Sequence, residues 1–120
     1  MPFDTNYLWN LFKHLKTQSK PIFMEEMSED YKNHPKTYIV IDRQTYDEPL
    51  HRGDGKTLMR SSSFVIRVNS RSKETAFTTS LDYIQVLNDN NIDYINSGSV
   101  FDPYSGYWTI ALEGSVPYHV

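Results

Sequence analysis

Apolar side chains near the start of the chain recur at the spacing of one helix face. They stand at i, i+3, i+4 and i+7, whereas Lys13 and Lys16 fall on the other side of the same helix. Asp4 or Thr5 can cap the first turn, and Pro21 prevents the helix from continuing. The sequence therefore predicts a first helix whose buried stripe consists of Leu8, Leu11, Phe12 and Leu15.

Two strand patterns follow the first helix. Residues 37–41 form a nearly continuous apolar run, which is typical of a strand covered in part on both faces. In residues 63–69, Phe64, Ile66 and Val68 alternate with polar side chains, so one face of this strand is apolar.

The segments around these strands are mostly polar. Residues 42–62 contain glycines and a proline but few apolar anchors, and they predict a long loop that is mobile in the free subunit. Residues 22–35 are irregular, apart from a short extended piece at 21–24. Their acidic part is interpreted as a solvated connection, because it lacks the ordered spacing of a calcium loop.

A second helix is predicted over residues 73–87. Ser72 is a suitable N-cap, and Glu74 lies in the first turn, where the helix dipole favours an acid. A polar run at 88–91 ends the pattern. The apolar stripe of this helix is expected to be Phe77, Leu81, Ile84 and Leu87.

Two more strands complete the chain. Residues 94–100 form an uneven strand in which Gly98 marks a bulge. Residues 102–106 form a turn in which Pro103 fixes φ and Gly106 tolerates positive φ. The last strand then runs over residues 107–113.

The order of elements is helix, strand, strand, helix, strand, strand, which predicts one domain over residues 1–120. Strands joined by hairpins are antiparallel. The expected fold is therefore α+β, with a four-stranded, mainly antiparallel sheet and both helices packed on one face (order α-β-β-α-β-β).

Both faces of the last strand are apolar or aromatic. Trp108, Ile110 and Leu112 are expected to face the helices. The opposite face has two interpretations: small side chains and a tyrosine hydroxyl are tolerated in water, or a neighbouring subunit covers them. The second interpretation makes this face a candidate subunit interface, formed by Tyr107, Thr109, Ala111 and Arg67, with Asn69 beside them.

Composition excludes several classes of function. The chain has 120 residues, no cysteine and a net charge of -3, so disulfides and thiol chemistry are excluded and tight duplex binding is not expected. Neither a secretory signal nor a long apolar run is present, so synthesis in the cytoplasm and no membrane partner are expected. The four histidines form no close pair, and no serine lies in a nucleophile turn. The sequence predicts no enzymatic activity, no cofactor and no bound metal.

The order of elements and several local patterns resemble the tail-terminator, or tail-to-head joining, proteins of long-tailed bacteriophages. The similar features are an amphipathic N-terminal helix, the strand 38–41 preceded by Pro35, the strand 64–68, the helix 73–87 and an aromatic hairpin over 102–112. They cover most of the chain, and they are patterns rather than a signature of reactive residues.

This resemblance implies a structural virion protein at the head–tail joint, assembled in the host cytoplasm. Proteins of the family form rings, commonly hexamers, that cap the tail tube and meet the head connector or completion protein. The expected partners are therefore further copies of the chain and these two proteins, with DNA in contact only as it passes. The residues 42–62 correspond to a loop that can face the bore of the ring. Its candidate bore-facing residues are Arg52, Lys56, Arg60 and Asp54, with Asp47 and Glu48 nearby.

Three alternatives stay open at this point. The chain can be another connector component of the neck, which the sequence does not separate from a tail terminator. It can instead be a small regulatory domain that binds one protein as a monomer. An enzyme of the hotdog or cyclase-like type would need a ligand-sized pocket with converging polar groups.

Overall fold

The computed structural model describes residues 5–24, 35–53 and 56–119, and for residues 5–6, 43–53, 56–62 and 116–119 it describes the backbone alone. The first helix ends in a short 3-10 turn over Lys13–Leu15. The elements in chain order are α1 Thr5–Phe12, β1 Ile22–Met24, β2 Thr37–Gly53, β3 Lys56–Ser70, α2 Lys73–Asp89, β4 Asp93–Asp102 and β5 Tyr107–His119.

The strands form one mixed sheet in the order β1-β2-β3-β5-β4. The α+β class and the two helices agree with the prediction, but the sheet has five strands rather than four. The additional strand is β1, which pairs in parallel with β2 from Ile22 opposite Ile39 to Met24 opposite Ile41. Three apolar residues are too few to show a period in the sequence, so the extended piece was predicted but its place in the sheet was not.

The segment predicted as a long loop is a β-hairpin. β2 continues to Gly53 and β3 starts at Lys56, and we call residues 43–53 and 56–62 the arm. β5 extends alongside it, with His119 opposite Met59. Strands can form from polar residues here because pairing gives the backbone N–H and C=O groups their hydrogen-bond partners. Several register shifts between β2 and β3 interrupt the alternation of apolar and polar side chains that would reveal a strand in the sequence. The prediction that this segment is mobile stays untested.

The arm makes the molecule elongated. The principal extents of the molecule are 52 × 27 × 24 Å, and its radius of gyration is 15.6 Å. A compact domain of this length has a radius of gyration of about 13.6 Å. The arm therefore projects from the body that holds the core.

The core lies between one face of the sheet and both helices. The predicted stripe of α1 is confirmed, since Leu8 and Phe12 are fully buried and Leu11 and Leu15 pack partly against the core. The ring of Phe12 stacks on Tyr83 of α2, with 5.5 Å between centroids. On the sheet, the largest buried side chains of this core are Ile39, Ile41, Phe64, Ile66, Val68 and Leu112.

The predicted stripe of α2 is wrong in its first half. Phe77 and Leu81 are 56% and 46% exposed, whereas Leu87 is buried and Ile84 is partly buried. The N-cap is confirmed, because the Ser72 hydroxyl accepts the N–H of Thr75 at 3.3 Å. The buried face of the helix consists instead of Ala76, Thr79, Ser80, Tyr83, Val86 and Leu87.

The predicted faces of the last strand are confirmed. Ile110 and Leu112 are buried on the helix side, and Gly114 follows them there. A Cβ at Gly114 would come within 2.5 Å of the ring of Phe64, so only glycine lets this ring lie against β5. On the other side, which we call the open face, Ala111 pairs with Arg67.

Candidate interaction surfaces

The middle of the open face carries a network of polar side chains. The Arg67 guanidinium lies 3.8 Å from the Asp42 carboxylate. The Thr109 hydroxyl donates to Asn69 Oδ1 at 2.6 Å, and Asn69 Nδ2 donates to the carbonyl of Arg67 at 3.2 Å. These groups satisfy each other within the subunit, so the face can stay in water without a partner.

Tyr107 was predicted as an interface residue on this face, but its own chain covers it. Its side chain is only 2% exposed. The Tyr38 ring meets it edge-on at 5.2 Å, and the Arg71 guanidinium lies 4.7 Å above its ring. Its hydroxyl donates to the carbonyl of Pro35. Thr109, Ala111 and Arg67 are partly exposed, and they are the interface candidates that a neighbour can reach.

Burial against Tyr107 changes the acidity of the Tyr38 hydroxyl. Desolvation raises its pKa, and the nearby Tyr107 and Asp102 raise it further. Asp102 begins the turn into β5, where hydrogen bonds from the Tyr104 N–H and from Ser105 lower the pKa of its carboxyl. Gly106 has φ 78°, which confirms the predicted turn. The turn presents Tyr104 at its tip, 99% exposed.

Three of the four candidate bore-facing residues lie in the arm. Arg52 pairs with Thr57, Lys56 with Gly53, and Arg60 with Pro49. Asp54 lies outside the described residues. The three cationic positions therefore belong to one hairpin near its tip rather than to a loop.

A surface that sequence analysis missed lies along β4 and α2. β4 is an edge strand, and it bears Ile95 at 68%, Val100 at 64% and Phe101 at 45% exposure. Ile95 and Val100 lie opposite Glu113 and Thr109 on the open face, and Phe101 lies opposite Trp108 on the helix side, where Phe77 and Leu81 of α2 are also exposed. We call these five residues the apolar edge. The signal was present in the sequence, because Phe77 and Leu81 stand at i and i+4, but that stripe was attributed to the core.

A groove of about 580 Å3 lies between α2 and β4 within the apolar edge. Phe77 and Ile110 give it apolar walls, and Lys73 and Glu74 stand at its rim. The predicted bulge is confirmed at its floor, where Gly98 has φ 81° and the register shifts between Asn96 and Ser99. A Cβ at Gly98 would meet nothing within 4 Å, so the groove is open at this position.

Two further clefts differ from the groove in charge. One, of about 440 Å3, has Asp93 and Glu113 in its lining. The other, of about 390 Å3, lies at the start of α2 and is lined by Lys20, Lys36 and Arg71 together with Thr75. Within the described ranges, no three histidine, aspartate or glutamate side chains come together as metal ligands do.

The described helices are also too short or too polar to cross a membrane. Comparison of the chain with protein-family models, with curated proteins and with solved structures gave no match.

Proposed function

We propose that the protein is a structural virion component that assembles into a ring, caps the tail tube of a phage and joins the tail to the head. The starting point is the resemblance of the chain to tail-terminator proteins. An α+β domain with both helices on one face of the sheet is compatible with it.

The observation that carries the proposal is the apolar edge. Three large apolar side chains, Phe77, Ile95 and Val100, are each more than half exposed. They lie on both sides of β4, with Ile95 and Val100 on the open face and Phe77 on the helix side, and exposed apolar side chains grouped at a strand favour protein association. Among the described strands β4 pairs with β5 alone, so its outer edge is suited to contact with another protein rather than to binding a small ligand.

The arm adds a second argument for assembly. A ribbon of few strands has little stability of its own and gains it from packing against other elements. In the proposed ring, commonly a hexamer, the arm reaches the bore, the tail tube protein or the head completion protein. Cations and acids mixed in the arm would let DNA pass without holding it, because affinity grows with the number of phosphates neutralised.

Deletion of the gene from the phage or prophage that encodes it tests the proposal. We expect tails of uncontrolled length, or heads and tails that stay separate, in electron micrographs of the lysate. Wild-type protein supplied in trans should restore joined particles. Normal particles from the deleted phage would contradict the proposed function.

A further inference from the structure

We infer that the cleft at the start of α2 binds phosphate groups of a nucleic-acid backbone, and that it is the place where the protein contacts DNA. This inference rests on the proposed function for the source of the ligand, since DNA passes through the proposed ring. It does not depend on how copies of the chain meet. We call this cavity of about 390 Å3 the basic cleft, and its cations are Lys20, Lys36 and Arg71.

The lining of the basic cleft consists of cations and hydroxyl groups alone. Besides the three cations, every lining residue is a serine or a threonine. The Thr37 and Ser70 hydroxyls are buried and hydrogen-bonded to each other at 2.9 Å. The Ser72 hydroxyl oxygen accepts the N–H of Thr75 at 3.3 Å, so this hydroxyl still has its own hydrogen to donate. A cavity lined by positive charges and hydroxyl donors suits the oxygens of a phosphate.

The three cations are not neutralised within the part of the chain that the structure describes. An ion pair joins Arg67 to Asp42, but neither residue lines the cleft. No described carboxylate forms an ion pair with Lys20, Lys36 or Arg71. A cleft lined by one sign of charge concentrates ions of the opposite sign, so the basic cleft attracts anions.

Two of the cations are held in place by the fold. The Arg71 N–H donates to the carbonyl of Lys36 at 2.9 Å, which fixes the two backbones side by side. The Arg71 guanidinium lies 4.7 Å from the centre of the Tyr107 ring, and this contact orients the side chain without neutralising its charge. The Tyr107 hydroxyl donates to the carbonyl of Pro35, next to Lys36. A site that is arranged before its ligand arrives loses less entropy on binding.

The three cations form a row across one end of the sheet. Lys20 precedes β1, Lys36 precedes β2 and Arg71 follows β3, and these three strands are neighbours. Because β1 and β2 are parallel and β3 is antiparallel to β2, all three positions lie at the same end. Neighbouring strands are about 4.8 Å apart, so the row is roughly 10 Å long. Each strand of duplex DNA carries a phosphate about every 3.4 Å along the helix axis, so the row can face about three phosphates.

The basic cleft lies at the opposite end of the sheet from the arm. β2 starts beside the cleft at Thr37 and ends in the arm at Gly53. The cations of the cleft and those of the arm can therefore be altered separately. In the proposed ring, contact of the basic cleft with DNA would leave the arm to reach the tail tube protein or the head completion protein.

Double variants that each remove two positive charges test the inference. Lys20→Gln with Lys36→Gln alters the cleft and spares Arg71, which packs on an aromatic ring. Lys13→Gln with Lys16→Gln is the matched control, because both residues are exposed and neither lines the cleft. The two variants have the same net charge, so a difference between them reports the position of the charges.

A third variant, Arg52→Gln with Lys56→Gln, makes the same change in the arm. Circular dichroism and thermal unfolding first establish that every variant is folded. Fluorescence anisotropy of a short labelled DNA duplex then gives the dissociation constant of each protein over a range of salt concentrations. Inorganic phosphate, added at the same total concentration of phosphate groups, serves as the competitor.

We expect the wild type to bind the duplex weakly at physiological salt, with a dissociation constant of about 0.1 mM. The logarithm of its binding constant should fall with the logarithm of salt concentration at a slope of about -2.7, because three phosphates are contacted. The cleft variant should bind at least about tenfold more weakly, with a slope of about -0.9. The control and the arm variant should keep the wild-type slope, and inorganic phosphate should not displace the duplex.

Three results would overturn the inference. The first is a wild type that does not bind the duplex even at low salt. The second is a cleft variant that loses no more binding than the control or the arm variant. The third is displacement of the duplex by inorganic phosphate, which would assign the cleft to a free phosphate ion instead. The proposed function would stand in all three cases if deletion of the gene still leaves heads and tails unjoined.

Discussion

At the scale of single residues, two buried tyrosines differ in whether the side-chain hydroxyl has a hydrogen-bond partner. Tyr83 and Tyr107 are 1% and 2% exposed. The hydroxyl of Tyr107 donates to the carbonyl of Pro35, whereas that of Tyr83 has no hydrogen-bond partner among the described residues. Sequence alone could not give this difference, since both residues lie in patterns that are compatible with an exposed hydroxyl.

The same change at these two positions should therefore have opposite effects on stability. Tyr107→Phe removes a hydrogen bond and should lower the free energy of unfolding by about 1 kcal/mol. Tyr83→Phe removes an unpaired buried hydroxyl, so it should leave the free energy of unfolding unchanged or raise it by up to about 1 kcal/mol. Urea unfolding of both variants measures this, and equal losses would show that Tyr83 has a partner.

Burial of Tyr83 also predicts how stability depends on alkaline pH. Burial raises the pKa of its hydroxyl above the ordinary value of 10.0, so the folded protein keeps the proton that the unfolded chain releases. The stability from this group is complete below pH 10 and is lost as pH rises above it, by at most about 1.4 kcal/mol per pH unit. The wild type should lose more stability above pH 10 than Tyr83→Phe, which shares every other tyrosine. Parallel pH curves for the two proteins would contradict the assignment.

At the scale of elements, α2 was predicted correctly as a helix but rotated. Ranking positions by hydrophobicity predicts that Phe77 and Leu81 are buried, whereas Thr79 and Ser80 are buried instead. The Ser80 hydroxyl donates to the carbonyl of Phe77 at 2.6 Å, so it needs no other partner when buried. Small side chains also let the helix approach the sheet. Hydrophobic periodicity cannot anticipate these effects, and surfaces used for association carry the same apolar residues as a core.

The rotation of α2 predicts different outcomes at two leucines. Leu87→Ala removes a fully buried side chain and should lower the free energy of unfolding by about 2–5 kcal/mol. Leu81 is 46% exposed, so Leu81→Ala should cost well under about 1 kcal/mol, and even Leu81→Asp should leave the domain folded. Thermal unfolding of the three variants measures these differences in stability. An unfolded Leu81→Asp protein would show that this residue belongs to the core.

The arm is the other element that the sequence did not reveal. Strand prediction depends on one side of the strand being buried, and in residues 42–62 apolar and polar positions do not alternate. Register shifts further break the period. The buried faces of α1 and β5 were predicted correctly, because apolar residues recur at regular spacing in both elements.

At the scale of the whole molecule, two surfaces are candidates for the contact between copies in the proposed ring. Sequence reasoning identified the open face from the apolar character of β5, while the apolar edge appeared only when α2 was seen in its true orientation. The open face holds its polar groups in internal hydrogen bonds and an ion pair. β4 adds the exposed Ile95 and Val100 to this face, whereas Phe77, Leu81 and Phe101 are exposed on the helix side. In the proposed ring, the helix side of the apolar edge would serve the lateral contact, and the open face would meet a partner along the tail axis.

A substitution on the open face separates these two roles. Ala111 is partly exposed and faces away from the helices, so Ala111→Arg should leave the domain folded, with a loss of stability below about 1 kcal/mol. The added guanidinium lies beside Arg67. It therefore places extra bulk and a second positive charge where a partner protein would contact the face. We expect particles carrying Ala111→Arg to stay unjoined, with loss of infectivity in a complementation assay, while the purified variant assembles at wild-type concentrations. Loss of assembly in solution would place the open face in the lateral contact instead. Infectious, joined particles would show that this face meets no partner at all.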